Sequence, residues 1–311
     1  MTDRLEIGIG DAGSVLTAYE PAFLDLFPAD TRLRALWRQG TWTEGPSYLS
    51  ATRSVIFSDI PNDCQMHYSE LSGEVNVWRG GQRHFVNGTT PDAAGGLLMC
   101  EHGTRSLTRL SHEGKREILA DRFDGGRLNS PNDVVQHLDG SIWFTDPTYG
   151  IEFPDQGNPG KKEQEGSFVY RFDPKSEKLS AMIRDCAYPN GLAFSPDASR
   201  LYVADSGGSR SPGDERHIRV FDLGDNGQLS GGDIFVRCPN GVFDGFRVDR
   251  TGRLWASARD GVYIISERGT VLGRIATPET VSNLCFGGPD QDRLYITATS
   301  SLLVINLAHP V

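Results

Sequence analysis

The sequence predicts an all-β fold, a six-bladed β-propeller with four antiparallel strands per blade, and three observations support this. A polar residue, an apolar stretch, a turn and a second apolar stretch recur six times along 311 residues. The copies begin about 48 residues apart, a spacing typical of propeller blades. The 36 glycines, 17 prolines and 38% hydrophobic residues supply many turns and enough apolar surface for packed sheets. We predict one domain, with an N-terminal arm over residues 1 to 30 and the propeller over 31 to 311.

The N-terminal segment is expected to close the ring of blades. Residues 1 to 18 show no period and are predicted to form an irregular outer arm, followed by a helical turn within 19 to 27. Residues 32 to 37 mix polar and apolar side chains as a half-buried strand does. The last copy stops after 302 to 305, one strand short of four. The strand at 32 to 37 is expected to fill that place.

Each copy begins with a leading polar residue and reaches its second strand after a turn. Two copies carry extra length between their second and third strands, at 147 to 166 and 206 to 216. Because adjacent strands run antiparallel, both insertions are expected on the face that carries the leading residues, as solvated connections or as a lid. The leading residues are Glu44, Asn87, Asn132, Asn190, Asp244 and Asn283, and the second strands are predicted at 55 to 57, 97 to 99, 142 to 144, 201 to 203, 254 to 256 and 294 to 296.

Charge and composition exclude several classes of protein. The formal net charge of −10 argues against a nucleic-acid surface, which needs a basic stripe. The sequence contains no run of 18 apolar residues and no basic start followed by an apolar segment, so we expect no membrane contact and a cytoplasmic protein, or a periplasmic one if a leader was removed. A monomer or a homodimer is expected. Five scattered cysteines without a Cys-x-x-Cys pair indicate free structural thiols.

The leading residues are the first candidates for a functional site. The first strand of each propeller blade lines the central axis, so two carboxylates and four amides are expected to meet on one face. Oxygen donors of this kind suit a hard cation, and calcium is the expected ion, with Zn²⁺, Mg²⁺ or Mn²⁺ as alternatives. The competing interpretation is that Asn-Gly at 87 and 190 and Asp-Gly at 244 are ordinary turn formers.

A second set of polar residues is expected near the same face. Acidic residues follow the second strands and either orient the ligands or accept backbone N–H groups in a turn. His102 is the histidine best placed for substrate contact or proton transfer, with a surface histidine as the alternative. The Gly-x-Gly-x-x-Gly spacing at 8 to 13 lacks a preceding strand and is interpreted as a chance match. The acids are Asp59, Glu101, Asp146 and Asp205.

Several motifs together resemble the gluconolactonase branch of the regucalcin (senescence marker protein) family. They are Thr-Glu-Gly-Pro at 43 to 46, Cys-Glu-His-Gly-Thr-Arg at 100 to 105, Leu-Asn-Ser-Pro-Asn-Asp-Val-Val at 128 to 135, Trp-Phe-Thr-Asp-Pro at 143 to 147, Pro-Asn-Gly-Leu at 189 to 192 and Asp-Gly-Phe-Arg-Val-Asp at 244 to 249. The resemblance implies a six-bladed propeller with one divalent cation on its axis. It implies that Glu44, Asn190 and Asp244 bind the metal, and that Asn132 contacts metal or substrate. The animal proteins have an arginine where this chain has Ser130, so sugar recognition is expected to differ.

The resulting hypothesis is a metal-dependent lactone hydrolase acting on an aldonolactone, with D-glucono-1,5-lactone as the expected substrate. The cation would polarise the ester carbonyl. Asp244 would activate water as a general base, or attack directly, while Asn132 and Asn190 position substrate and ion and His102 contacts substrate. Two alternatives stay open: a calcium-dependent hydrolase of phosphotriesters, and a non-catalytic calcium-binding propeller without a substrate-sized cavity.

Overall fold

The structure, a computed structural model, consists of six antiparallel sheets arranged in a closed ring. It describes residues 15 to 211, 213, 215 to 224 and 227 to 311, so the glycine-rich stretch at 8 to 13 lies outside the described residues. The first strands of successive blades contact one another around the axis, and the first strand of the sixth blade contacts that of the first. The predicted six-bladed propeller is confirmed.

The strands follow the repeat, with all six predicted second strands in place. β1 (Leu16–Ala18) and β2 (Arg34–Trp37) precede the first blade. The first three blades contain β3 (Thr43–Leu49), β4 (Ser54–Asp59), β5 (Cys64–Ser69) and β6 (Val75–Gly80); β7 (Val86–Pro91), β8 (Leu97–Glu101), β9 (Ser106–Leu110) and β10 (Arg116–Ala120); and, after a hairpin of β11 (Arg122–Phe123) and β12 (Gly126–Arg127), β13 (Val134–Gln136), β14 (Ile142–Asp146), β15 (Ser167–Asp173) and β16 (Lys178–Cys186).

The last three blades continue the pattern around the ring. They contain β17 (Pro189–Phe194), β18 (Arg200–Asp205), β19 (His217–Leu223) and β20 (Leu229–Arg237); β21 (Phe246–Val248), β22 (Leu254–Ala258), β23 (Gly261–Ile265) and β24 (Val271–Ala276); and β25 (Val281–Gly287), β26 (Arg293–Ala298) and β27 (Ser301–Asn306). The described helices are the short α1 (Tyr149–Glu152) and two 3-10 turns, Pro21–Leu26 and Gly207–Ser209. None of the helices in the described part of the chain has the length and apolar character needed to span a bilayer.

The two ends of the chain close the ring, as the sequence predicts. β2 pairs antiparallel with β27 and becomes the fourth strand of the sixth blade. Across the seam between the sixth and first blades, the rings of Tyr48 and Tyr295 stack with centroids 5.9 Å apart. Both hydroxyls donate to the buried carboxylate of Glu70, which Arg293 also contacts at 2.7 Å. These hydrogen bonds satisfy a carboxylate that would otherwise be costly to bury.

The prediction of an irregular outer arm is wrong for residues 16 to 18. β1 pairs with β24 and gives the fifth blade a fifth strand. The segment that follows contains the predicted helical turn, and its Phe23 and Phe27 pack in the same core cluster as Trp255 of the fifth blade. Three residues are too few to show a strand period, so the strand is stabilised by this packing and its partner strand rather than by local pattern.

The cysteines are free, as the sequence predicts. Cys100, Cys186 and Cys285 are buried in the sheets, and none of the five forms a disulfide. Burial raises the pKa of the Cys186 and Cys285 thiols to about 12. These thiols therefore act as small apolar side chains of the core.

Candidate active site

Five of the six leading residues reach one cavity at the mouth of the axis. The cavity has a volume of about 700 Å³. Asn283 is the leading residue that does not line it: its Nδ2 donates to Oε2 of Glu44 at 3.3 Å, so it supports a neighbour instead. The leading residues that line the cavity are Glu44, Asn87, Asn132, Asn190 and Asp244, and His102 lines it with them.

The leading residues reach the cavity because the first strands are irregular where they lie. The pairing register shifts around Glu44, Asn87 and Asn190. In the third and fifth blades, regular pairing begins only two residues after Asn132 and Asp244. Such interruptions turn a side chain out of the alternating pattern of a strand and are common beside active sites. The irregularities thus aim these oxygen donors along the axis rather than into a sheet face.

The glycines that follow the leading residues allow neighbouring blades to approach closely. A Cβ atom on Gly191 would lie 2.4 Å from the carbonyl oxygen of Asp244. One on Gly245 would lie 2.0 Å from the side-chain Cγ of Asn283. The N–H of Gly191 also donates to the Asp244 carbonyl at 3.0 Å. The Asn-Gly and Asp-Gly pairs at 190 and 244 therefore join blades at the hub, and the interpretation as ordinary turn formers is wrong for them.

The hub carries three acidic side chains, Glu44, Asp133 and Asp244, that are close enough to affect one another's pKa. Burial, together with the nearby charge of Asp133, raises the pKa of Glu44 to about 8. Desolvation by the surrounding protein, with the negative charges of Glu44 and Asp133, raises the pKa of Asp244 well above its usual value. Arg247 lies beside them: its Nη1 is 3.6 Å from Oδ2 of Asp133, and its charge opposes the rise in the pKa of Glu44. Two carboxylates that face the cavity thus repel each other, and neither forms an ion pair with another described residue.

The donor set fits a hard divalent cation. Glu44 and Asp244 offer carboxylate oxygens, and Asn132 and Asn190 offer neutral amide oxygens beside them. Calcium and magnesium bind such oxygens, whereas zinc prefers nitrogen and sulfur ligands. Among the residues that the structure describes, no three His, Cys, Asp or Glu side chains cluster together, and the hub combines two carboxylates with amides instead.

His102 joins the hub to the first insertion. Its Nδ1 lies 2.9 Å from the carbonyl oxygen of Gln156, which can only accept, so Nδ1 carries the proton. Its Nε2 lies 3.2 Å from Nδ2 of Asn87 and accepts from that amide. The Asn87 side-chain oxygen is therefore directed away from His102. Burial lowers the pKa of His102 to about 4, so the ring is neutral at physiological pH and does not act as a general acid there.

Replacement of His102 by glutamine is expected to reduce the decrease in the free energy of unfolding between pH 6.5 and pH 4. The histidine takes up a proton near pH 6.5 in the unfolded chain but only near pH 4 in the folded protein. Protonation between these values therefore favours the unfolded chain, so the contribution of neutral His102 to stability is complete above pH 6.5 and is lost as the pH falls toward 4. The loss is on the order of 3 kcal/mol. Urea unfolding of wild type and His102→Gln at several pH values in this window measures it. His112→Gln, which replaces an exposed histidine, should keep the wild-type slope, and equal slopes for wild type and His102→Gln would refute the assignment.

The acids that follow the second strands hold the loops that lead into the first strands. Asp59 accepts N–H groups of Thr41 and Trp42 at 3.1 Å. In the fourth blade, Asp205 accepts the N–H groups of residues 187 and 188 at 2.8 and 2.9 Å. Asp146 accepts that of residue 129 at 2.8 Å in the third blade. These acids fix the backbone two or three residues before the leading residues, and they thereby position the leading side chains.

Glu101 differs from the other three acids. Its carboxylate accepts from Arg116 at 2.6 and 2.7 Å and from the hydroxyls of Thr104 and Thr108, all within its own blade. It is fully buried and its charge is neutralised by Arg116. Glu101 therefore stabilises the second blade, and the neighbouring His102 alone reaches the cavity.

The two insertions lie on the face of the leading residues, as the sequence predicts, and they meet over the cavity. Tyr149 and Phe153 of the first insertion line it, as does Arg210 of the second. The guanidinium of Arg210 stacks on Phe153 at 4.5 Å and forms an ion pair with Glu152 at 2.9 Å. Ser130, which departs from the related animal proteins, donates to the Pro147 carbonyl at 2.6 Å and thus anchors the first insertion.

Two groups of site residues escape prediction from the sequence. Asp133 and Arg247 form one group, and their charges act on the Glu44 carboxylate at the hub. Asp133 had a detectable signal, because four of the six copies place glycine directly after the leading residue and this copy places an acid there. Arg216 and Arg259 line the cavity wall from loops, where no periodic pattern marks them.

The comparisons with known proteins agree with this geometry. Residues 42 to 300 match a family model described as the SMP-30/Gluconolactonase/LRE-like region. A gluconolactonase of Zymomonas mobilis is 28% identical over 93% of this chain and 85% of its own length. The solved structure of a gluconolactonase from Xanthomonas campestris is 38% identical, covers 94% of each chain and superposes with a TM-score of 0.88.

A more distant neighbour shares the fold alone. The calcium-binding protein regucalcin of Agrobacterium tumefaciens is 18% identical, with 89% of this chain and 96% of that chain covered and a TM-score of 0.72.

Proposed function

Since the chain belongs to the SMP-30/gluconolactonase/LRE-like family and is a lactone hydrolase, we propose that it opens an aldonolactone with the help of a divalent cation. D-Glucono-1,5-lactone is the expected substrate, because gluconolactonases stand among its similar relatives. Calcium is the expected ion, with Mg²⁺, Mn²⁺ and Zn²⁺ as the alternatives.

One observation supports the proposal most strongly. Oxygen-bearing side chains from five blades meet at one cavity of about 700 Å³, and two of them are carboxylates that repel each other. A buried arrangement of this kind is costly unless a cation compensates it. The cavity is also within the size range of small-molecule sites, about 300 to 1,000 Å³. A non-catalytic calcium-binding propeller gives no reason for such a cavity.

Each hub residue has a role in this proposal. Glu44, Asn132, Asn190 and Asp244 would hold the cation, which supplies a Lewis acid for the ester carbonyl and for the negative charge that develops on its oxygen. Asn132 also positions the lactone. His102 accepts a hydrogen bond from the side-chain amide of Asn87 and so fixes it. Asn87 thus contributes a further amide that faces the substrate.

Asp244 is the proposed general base. A water molecule attacks the carbonyl carbon of the lactone while Asp244 accepts one of its protons, and a C–O bond forms. The bond between that carbon and the ring oxygen then breaks, and the proton passes from Asp244 to the departing ring oxygen. The product is the open-chain hydroxy acid, and atoms and charge balance without any further reactant.

A turnover assay over a substrate panel tests the proposal. We expect hydrolysis of D-glucono-1,5-lactone and related aldonolactones above the spontaneous rate, and little hydrolysis of a phosphotriester such as paraoxon. Attack on the lactone carbonyl passes through a tetrahedral carbon and attack on a phosphotriester through a five-coordinate phosphorus, so a cavity that stabilises one should not stabilise the other equally well. Phosphotriester turnover that exceeds lactone turnover would overturn the proposal.

A further inference from the structure

One wall of the cavity carries positive charge that the proposed lactone chemistry does not use. Arg216 directly precedes β19, the third strand of the fourth blade, and Arg259 lies in the turn after β22 of the fifth blade. Both flank the connection between these blades: the N–H of Cys238 donates to the carbonyl of Arg216 at 2.7 Å, and the N–H of Arg259 donates to that of Asn240 at 3.3 Å. The two arginines thus form one cationic wall, opposite in charge to the hub carboxylates.

Neither guanidinium of this wall is neutralised by a residue that the structure describes. Within the described residues, the side chains of Arg216 and Arg259 make no ion pair and no hydrogen bond. Other arginines at the rim behave differently: Arg210 is stacked on Phe153 and paired with Glu152. Arginine residues without a partner beside a cavity are suited to bind a carboxylate, phosphate or sulfonate, because the planar guanidinium presents several donors.

A glycine in the second insertion leaves room for the side chain of Arg216. A Cβ atom on Gly208 would lie 2.4 Å from Cγ and 2.6 Å from Nε of Arg216, so the arginine side chain lies flat against this glycine. Gly208 itself lines the cavity and is held by its N–H, which donates to the Glu215 carbonyl at 2.7 Å. The second insertion therefore confines the Arg216 side chain along the cavity wall, which lowers the entropy lost on binding an anion.

From this wall we propose that the enzyme's preferred substrates are lactones that carry an anionic group, such as a carboxylate, phosphate or sulfonate, away from the ester. The inference rests on the proposed lactone hydrolysis. The hub carboxylates and their cation engage the ester, and Arg216 and Arg259 bind the distal anion. A neutral aldonolactone leaves both guanidinium groups without a partner, so it binds less well.

The test compares two anionic lactones with the neutral lactone that lacks the charged group. The kcat/KM values of 6-phospho-D-glucono-1,5-lactone and 6-deoxy-6-sulfo-D-glucono-1,5-lactone are measured against that of D-glucono-1,5-lactone, with wild type and Arg216→Gln/Arg259→Gln. We expect wild type to favour at least one anionic lactone by about 10- to 100-fold, and the double variant to lose most of that preference. Added salt should reduce the preference of wild type.

A control variant, together with the ratio of kcat/KM for the anionic lactones to that for the neutral lactone, shows whether the inference alone or the proposed function as well is wrong. Arg200→Gln removes an arginine at the start of β18 that pairs with Asp222 outside the cavity, and it should retain the wild-type preference. Hydrolysis of the neutral lactone without any preference for the anionic ones, or a preference that survives in the double variant, overturns the inference and leaves the proposed function intact. Hydrolysis of neither kind of lactone removes the proposed function and the inference with it.

Discussion

Replacement of Asp244 by asparagine is expected to lower lactone turnover by about 10³-fold or more, since it removes the general base and one anionic ligand together. The variant should fold, because asparagine keeps the shape of the side chain. It should even stabilise the metal-free protein, because desolvation and the charge of Glu44 already disfavour the Asp244 carboxylate. Asp244→Ala is expected to abolish turnover in the same way. Steady-state kinetics on D-glucono-1,5-lactone and thermal unfolding without metal measure both effects.

A matched carboxylate in the same cavity provides the control. Asp155 lines the cavity from the first insertion and is exposed. Asp155→Asn makes the same chemical change away from the hub and should keep most of the turnover. Near-normal kcat/KM in Asp244→Asn would remove this residue from the mechanism, whatever the result for Asp155→Asn.

Removal of the metal is expected to abolish lactone turnover and to lower the melting temperature. A cation that binds only the folded protein stabilises it by about 3 kcal/mol at 100 times its Kd. For a chain of this size, that corresponds to a rise in Tm of roughly 5 °C. Chelator treatment followed by titration with Ca²⁺ should therefore reduce and then restore both turnover and Tm. Parallel titrations with Mg²⁺, Mn²⁺ and Zn²⁺ identify the ion that restores turnover best.

Glu44→Gln distinguishes binding at the hub from a general effect of calcium. Burial and the charge of Asp133 raise the pKa of Glu44, so its replacement by a neutral amide should raise the Tm of the metal-free protein. It should also abolish the rise in Tm on addition of calcium. Full turnover by protein shown to be metal-free by elemental analysis would exclude a cation from the reaction.

The repeat in the sequence predicts the blades because each copy carries its own strand and turn signals. The closing strand before Glu44 could be predicted too, since the last copy lacks its fourth strand. β1 could not, because three residues show no period and their position depends on Phe23 and Phe27 packing near the fifth blade. Tertiary contacts of this kind leave no local pattern.

The site could be predicted only as far as it follows the repeat. Five leading residues line the cavity because the copies place them equivalently on the first strands. Asn283 has the same register, yet it lies behind Glu44 and supports it. Arg216 and Arg259 lie in loops whose course is set by neighbouring blades, so spacing along the chain could not place them together.

A crystal structure determined in the presence of calcium tests whether the hub binds the cation. We expect an ion at the mouth of the axis, bound at about 2.3 to 2.6 Å by oxygens of Glu44, Asn190 and Asp244, with Asn132 beside it. The same crystals of Glu44→Gln should show weaker density there. An ion bound elsewhere, or a hub that stays free of calcium at concentrations that support turnover, would contradict the account.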